Sequence, residues 1–192
     1  MAPTHARAKI IWCESTDSTN SELRRRIGEL DNLSIVAAKR QTAGRGQGDH
    51  TWCSEPGMNL TFSLLLLFSN DAPLNVRDIQ EINVYITSVL LEFLRQEGVS
   101  AWVKLPNDIW VEDRKICGIL IENQLDGHNV ASTIVGIGLD LNQCEWPEDL
   151  PNPVSLKQLT GKEYPLELTL ERISDLCKKN WIDFESRLRA KL

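Results

Sequence analysis

Two lysines, an amide and a carboxylate lie close together in the sequence, at Lys104, Asn107, Asp108 and Lys115. Pro106 fixes its own φ and pushes the preceding residue to an extended conformation, so the amide and the carboxylate should follow a rigid corner. Lys115 opens an otherwise apolar strand and should face a cavity or the rim of a sheet. Such groups on neighbouring strand ends suit a polyanion with a bound metal ion. An ordinary hairpin with a solvated lysine explains this stretch equally well.

A glycine-rich basic loop follows the strand predicted at 35–38. Gly44, Gly46 and Gly48 let the backbone adopt positive φ and approach a ligand with bare N–H groups. Arg45 adds a planar charged fork that suits a carboxylate or a phosphate. The loop matches neither the Walker phosphate loop nor a dinucleotide fingerprint. Taken alone, a flexible surface hairpin accounts for it at least as well.

Hydroxyl and amide side chains crowd the predicted start of the first helix, at Ser18, Thr19 and Asn20. Thr19 and Glu22 match a capping box, so the helix should begin near Thr19. Plain N-capping explains these residue types locally. A helix N-terminus dense in hydroxyls and amides can also bind a polar ligand.

Composition limits the classes of function. The chain has 192 residues, of which 42% are hydrophobic and 25% charged, the values of one ordinary globular domain spanning 1–192. A net charge of −6 argues against nonspecific nucleic-acid binding. The local cluster of Lys39, Arg40 and Arg45 instead favours a small anionic ligand.

The cysteines and the hydrophobic segments predict a cytoplasmic protein without membrane contact. The five cysteines include no CxxC pair, which argues against disulfides and zinc and for a reducing cytosol. The N-terminus shows no apolar signal core, and residues 1–8 are expected to be disordered. The apolar stretch at 60–68 is too short to cross a bilayer and indicates a buried strand.

The elements that must position these groups are strands and helices in mixed order. Amphipathic helices are expected from near Thr19, after an Asn75 cap and up to Gly98, and at 166–188, with a helical turn at 155–159. Asp126-Gly127 predicts a hairpin. The fold class is α+β, with a single mixed, largely antiparallel sheet flanked by helices. Strands are predicted at 9–13, 35–38, 59–68, 101–104 and 129–142, with a strand, corner, strand, turn, strand sequence across 104–122.

Four stretches in series resemble the catalytic domain of biotin–protein ligases, over roughly residues 10 to 160. They are Ser18-Thr19-Asn20, Gln41 to Gly46 with Trp52, Lys104 to Asp108, and Lys115 to Glu122. The resemblance implies a fold similar to class II aminoacyl-tRNA synthetase catalytic domains. It also implies a two-step reaction, in which biotin and MgATP give biotinyl-5′-AMP and pyrophosphate, and the adenylate then acylates a lysine of a biotin carboxyl carrier domain.

The resemblance also implies a role for individual residues. Arg45 and Lys115 would be catalytic, neutralising the carboxylate and the α-phosphate as the anhydride forms. Asp108 would help to hold Mg²⁺, which prefers oxygen ligands. Trp52 would stack on adenine or close the loop over the site, although its other interpretation is a core tryptophan. The residues implied for biotin are Ser18, Thr19, Asn20, Gln41, Arg45, Gly46, Gln47, Lys115 and Gly118, and those for ATP or the adenylate are Arg45, Trp52, Lys104, Asn107 and Asn142.

The chain departs from the family pattern in several places. After Gly46 it reads Gln47-Gly48-Asp49-His50, where many relatives carry further basic residues, so the loop has less positive charge with which to hold an adenylate. Asp140 stands where many relatives place asparagine, and it either assists metal binding or is indifferent. Neither the N-terminal DNA-binding module nor the small C-terminal β-domain of relatives is expected, so DNA is not an expected partner.

Two other functions remain open. A lipoate or octanoate ligase or transferase has a similar fold and a lysine in the role of Lys115. A catalytically silent biotin-binding module would keep the pocket without turnover. The polar set Ser18-Thr19-Asn20 favours biotin, because a lipoyl chain has no ureido group to hydrogen-bond. The sequence does not decide between a monomer and a homodimer.

Overall fold

The computed structural model describes residues 8–148, 150 and 152–191. Most of the segment expected to be disordered, residues 1–7, lies outside this range, and Ala8 packs half-buried against the main core. The helices are α1 (Thr19–Arg26), α2 (Gln80–Gln96), α3 (Leu156–Thr160) and α4 (Leu166–Arg189). The strands are β1 (Ile10–Thr16), β2 (Ile35–Gln41), β3 (Leu60–Leu67), β4 (Leu74–Asn75), β5 (Trp102–Lys104), β6 (Asp108–Val111), β7 (Arg114–Asp126) and β8 (Asn129–Leu139).

The strands form one mixed sheet in the order β1-β2-β3-β8-β7-β6-β5, and the short β4 pairs with β8. Only β1 and β2 run parallel, and every other pairing in the described sheet is antiparallel. The expected strand, corner, strand, turn, strand sequence is present as β5, β6 and β7. The expected hairpin joins β7 to β8, with Gly127 at φ 58°. The predicted fold class is confirmed.

The two faces of the sheet differ because side chains alternate along each strand. On β3, Leu60, Phe62, Leu64 and Leu66 belong to the main core with buried residues of α2 and α4. Leu65 instead joins a smaller cluster that includes Leu23 of α1. Helix α1 therefore lies on the face opposite α2 and α4. Over the rest of that second face the sheet carries small and polar side chains, and a cavity forms there.

Two caps differ from the predicted ones. Helix α1 is capped by Ser18, whose side chain accepts from the Ser21 N–H, so the expected cap at Thr19 is wrong by one residue. The Thr19 N–H is instead directed to the side-chain oxygen of Gln41, at 2.8 Å. Asn75 caps a short 3-10 turn, Val76–Asp78, that leads into α2 and does not cap α2 itself.

The last strand is shorter than predicted. β8 ends at Leu139, before Asp140 and Asn142, because the chain leaves the sheet there to reach α3 and α4. Both helices begin close to their predicted positions. Among the described residues, no helix combines the length and the apolar character needed to cross a bilayer.

Helix α3 fixes the chain that follows Asp140, since the Leu156 N–H donates to the Asp140 carbonyl at 2.9 Å. Buried Ser155 caps α3 in a reciprocal capping box with Gln158. We expect Ser155→Ala to lower the free energy of unfolding by about 1 kcal/mol, measured by urea denaturation. Ser186→Ala, on the exposed side of α4, should change it by less than about 0.5 kcal/mol. Equal midpoints for Ser155→Ala and the parent would contradict the cap's contribution.

Candidate functional site

A cavity of about 430 Å³ opens on the face of the sheet that carries α1. It lies between the start of α1, the end of β2, the glycine-rich loop and strands β6, β7 and β8. The structure brings most of the predicted site residues to this one cavity. Its lining includes Ser18, Thr19, Asn20, Gln41, Arg45, Gly46, Gln47, Trp52, Asn107, Asp108, Lys115 and Gly118.

One end of the cavity is a polar corner built by α1 and its neighbours. Ser18, Thr19 and Asn20 are almost completely buried there. The Thr19 hydroxyl and N–H both donate to the Gln41 side-chain oxygen, at 3.3 and 2.8 Å. The buried Ser63 hydroxyl of β3 lies 2.8 Å from the Thr19 hydroxyl oxygen and donates to Asn20 Oδ1. Because buried polar groups in such a network are held in fixed directions, the corner can select a ligand by its donors and acceptors.

The floor of the cavity is glycine backbone. A side chain at Gly136 would collide with the Asn20 amide, and one at Gly138 with the Trp52 indole. At Gly118 an added Cβ would come 2.8 Å from the same indole. The pairing of β8 is regular through both of its glycines, so they are not bulges. They are sites of close approach, and the groups that approach are side chains of the protein itself.

Trp52 ends the glycine-rich loop and lies in the cavity, so the interpretation as a core tryptophan does not hold. The loop folds back on itself, with Gly46 N–H donating to the His50 carbonyl at 2.7 Å and Trp52 N–H to the Gly44 carbonyl at 3.1 Å. The indole Nε1 is buried, and it has no hydrogen-bond partner among residues 8–148, 150 and 152–191. Trp52 therefore covers the glycine floor and leaves one polar atom free for a ligand.

Arg45 does not point freely into solvent. Its two terminal nitrogens donate to the two carboxylate oxygens of Glu122, each at 3.1 Å. Glu122 also accepts from the Asn20 amide at 2.7 Å and pairs with Arg24 at 3.1 Å. Burial by itself would raise the pKa of Glu122, but the Asn20 hydrogen bond and the charge of Arg45 outweigh it, so the pKa lies below its usual value. Glu122 therefore ties the loop to the polar corner.

Lys115 lies between two carboxylates. Its ammonium is 2.8 Å from Asp108 Oδ1, and its charge also acts on Asp140. Burial raises the pKa of Asp140 well above its usual value, and Lys115 opposes that shift only in part. Asp140 is 3% exposed, and its Oδ1 has no partner within the described part of the chain. The Lys115 ammonium thus faces the cavity, as the sequence predicted.

Two predicted nucleotide residues do not reach the cavity. Lys104 is exposed, and its ammonium lies 3.7 Å from the centroid of the Trp110 ring. Asn142 exchanges two hydrogen bonds with the backbone of Tyr164, at 2.8 and 2.9 Å. Its amide therefore holds the chain in front of α4. Because β8 ends before this residue, Asp140 occupies the position at the cavity that we had expected Asn142 to share.

Residues 12–140 match the sequence model of a family described as the Biotin/lipoate A/B protein ligase family. The chain belongs to this family. BirA of Bacillus subtilis (strain 168), described as a bifunctional ligase/repressor, is 31% identical over 175 residues, which cover 88% of this chain and 52% of BirA. BirA of Escherichia coli (strain K12) is 33% identical over 137 residues, covering 71% and 41%.

The fold agrees with solved structures of relatives in the biotin/lipoate ligase family. The biotin protein ligase from Aquifex aeolicus, in complex with biotin and ATP, superposes with a TM-score of 0.74 at 27% identity. That match covers 94% of this chain and 73% of the solved chain. The chain spans about half the length of the curated relatives it matches.

The structure adds three residues that sequence reasoning did not place in this ligase-family site. Ser63 was signalled by a polar residue inside the most apolar strand, and Asp140 by its departure from the usual asparagine. Glu122 closes the motif that begins at Lys115, but nothing in the sequence indicated that a loop arginine far along the chain pairs with it. Its role follows from the fold alone.

The carboxylates beside Lys115 fit a hard divalent cation. Asp108 is partly exposed to the cavity, and Asp140 directs an unpaired oxygen into it, which is the oxygen chemistry that Mg²⁺ prefers. In the described residues, no group of three or more His, Cys, Asp or Glu side chains could hold a metal ion. A cation here would need further ligands, such as phosphate oxygens or water.

Glu122→Gln should loosen the loop, because an amide cannot pair with both nitrogens of Arg45. We expect amide hydrogen exchange of residues 43–52 to be roughly fivefold faster at neutral pH, equivalent to about 1 kcal/mol for a partly buried network. Because the pKa of Glu122 is lowered in the folded protein, its contribution is present above the ordinary glutamate pKa of about 4.3. It should be lost as the pH falls through the lowered value, bringing the parent toward the variant.

Glu163→Gln, which removes an exposed carboxylate paired with Lys157, is the matched control and should leave exchange in the loop unchanged. Equal protection of residues 43–52 in Glu122→Gln and the parent at neutral pH would rule out the tie.

Proposed function

We propose that this chain is the catalytic part of an ATP-dependent biotin–protein ligase. It would activate biotin with ATP to biotinyl-5′-AMP and transfer the biotinyl group to a lysine of a biotin carboxyl carrier domain. One observation carries the proposal. A single cavity combines two cations, Arg45 and Lys115, with a buried corner of hydroxyls and amides.

The polar corner supports biotin over a plain acyl chain. A ureido ring offers N–H donors on both sides of a carbonyl acceptor, which matches the mixed donors and acceptors of Ser18, Thr19, Asn20 and Gln41. Buried polar groups left without partners cost about 1–3 kcal/mol each. A lipoyl or octanoyl group would leave this corner unsatisfied, so a site built in this way rejects it.

The cations support the first chemical step. Biotin's carboxylate must approach the α-phosphate of ATP, so negative charge accumulates where the anhydride forms, and fixed positive groups stabilise it. Lys115 would leave Asp108 and turn to these oxygens. Arg45 would exchange Glu122 for the carboxylate or the phosphate, since its planar fork suits either. Mg²⁺ arriving with ATP would be held by Asp108 and would reduce the charge of the phosphates.

In the second step, the carrier lysine amine attacks the acyl carbon of the adenylate and AMP departs. Lys115 would stabilise the phosphate of the departing AMP. Trp52 and the folded loop would shield the adenylate from water, because they cover the floor on which it would lie. Asn107 would orient the phosphates; its side chain donates to the Ile119 carbonyl at 2.9 Å, which holds the corner after Pro106 against β7.

The deciding experiment is exchange of labelled pyrophosphate into ATP. Exchange that requires biotin supports the ligase. Exchange with lipoate or octanoate but not biotin would identify the alternative enzyme of this family. Biotin binding without exchange would identify a silent module. Transfer is then followed as biotin incorporation into a carrier domain and into a Lys→Arg version of that domain, which cannot accept it.

Lys115→Ala should reduce biotin-dependent pyrophosphate exchange by at least about a hundredfold, because one charge-stabilising group in a preorganised site contributes that much. Biotin binding and the unfolding midpoint should change much less. Lys157→Ala removes an exposed lysine of α3 and should keep the parental rate. Exchange near the parental rate in Lys115→Ala would remove Lys115 from the mechanism.

Arg45→Ala should release the adenylate faster, by about tenfold or more, since a charge-assisted hydrogen bond contributes about 1.5–3 kcal/mol. The measurement is the dissociation rate of preformed biotinyl-5′-AMP. Arg77→Ala, at an exposed arginine before α2, is the control and should match the parent. An unchanged dissociation rate in Arg45→Ala would exclude the loop from adenylate retention.

A further inference from the structure

Asp140 is a charged residue type in a place where an isolated charge is costly. It lies at the wall of the cavity, 3% exposed, with one carboxylate oxygen unpaired within the described structure. Its backbone is fixed on both sides: its N–H donates to the Ile116 carbonyl at 3.0 Å, and its carbonyl accepts from Leu156 at 2.9 Å. The side chain therefore cannot move out to water without breaking the junction between β8 and α3.

The charges around Asp140 become unbalanced when the site works as proposed. In the empty cavity Lys115 lies beside both Asp140 and Asp108, so one ammonium serves two carboxylates. When Lys115 turns to the reacting oxygens, those carboxylates remain beside a triphosphate. Buried charges in proteins are paired or coordinate metals. No other cationic side chain of the described residues lines this part of the cavity, because Arg45 is at the opposite rim, on Glu122.

We propose that Asp140 and Asp108 together form a divalent-cation site on the protein, which the cation of MgATP occupies as Lys115 leaves it. Two carboxylates supply part of an oxygen ligand set, and phosphate oxygens and water complete it. A carboxylate in place of asparagine at 140 strengthens the cation's attachment to the protein. The cation site would thereby offset the positive charge that the loop lacks at Gln47-Gly48-Asp49-His50. This inference rests on the proposed function for the nucleotide, but not for the cation.

Mn²⁺ reports the site without nucleotide or catalysis. Binding to the full chain is measured by electron paramagnetic resonance of free Mn²⁺, for the parent, Asp140→Asn and Asp108→Asn. Asp126→Asn, at the exposed β7–β8 turn, is the control. We expect Asp140→Asn to weaken Mn²⁺ binding at least about tenfold, the scale of losing a group that supports a metal site. Asp108→Asn should weaken it similarly, and the control should match the parent. Unfolding midpoints show that each variant is folded.

A second arm measures ATP affinity by calorimetry with Mg²⁺ and with EDTA. Mg²⁺ should tighten ATP binding at least about tenfold in the parent and less than about threefold in Asp140→Asn. An equal Mg²⁺ effect in both proteins, or equal Mn²⁺ affinity, would overturn the cation site. Absence of ATP binding in the parent would defeat the proposed function, while the Mn²⁺ arm would still decide the cation site by itself.

Discussion

The cavity depends on close contact between side chains and the bare backbone of two adjacent strands. Gly118 on β7 and Gly138 on β8 are paired across the sheet, and the Trp52 indole covers both. Next to them, Gly136 admits the Asn20 amide. Any side chain at these positions would push the loop or α1 away from the sheet. The absence of three Cβ atoms therefore sets the depth of the site and the distance between its loop and its floor.

The rest of the fold keeps this floor rigid. Strands β3 and β8 direct their large apolar residues to the opposite face, where α2 and α4 cover them. The glycine floor is thus the back of a close-packed core, although glycine is poorly suited to a strand interior. Catalytic precision in the proposed reaction requires such support, because small displacements of reacting groups are costly. The loop and the polar corner can adapt, while the floor and Lys115 stay in place.

Much of this arrangement was predictable from the sequence. The rigid corner before Asn107, the orientation of Lys115 and the class of the sheet follow from local rules on proline, periodicity and turns. The predictions failed where a residue's partner lies far along the chain. Asn142 was expected at the cavity because an extended strand was carried too far, whereas its partner is the backbone of Tyr164. Glu122 and Ser63 were missed for the same reason, since pairing across strands is not encoded in sequence spacing.

The pairing of Arg45 with Glu122 gives the empty protein an internal substitute for an anionic ligand. The guanidinium already makes two parallel bonds to a carboxylate, so an incoming acid replaces one anion with another at the same fork. Such an exchange yields little net electrostatic gain, which limits the affinity for simple carboxylates and phosphates that circulate at high concentration. Selectivity must then come from groups that Glu122 does not imitate, namely the hydroxyls and amides at the far end of the cavity and the ammonium opposite.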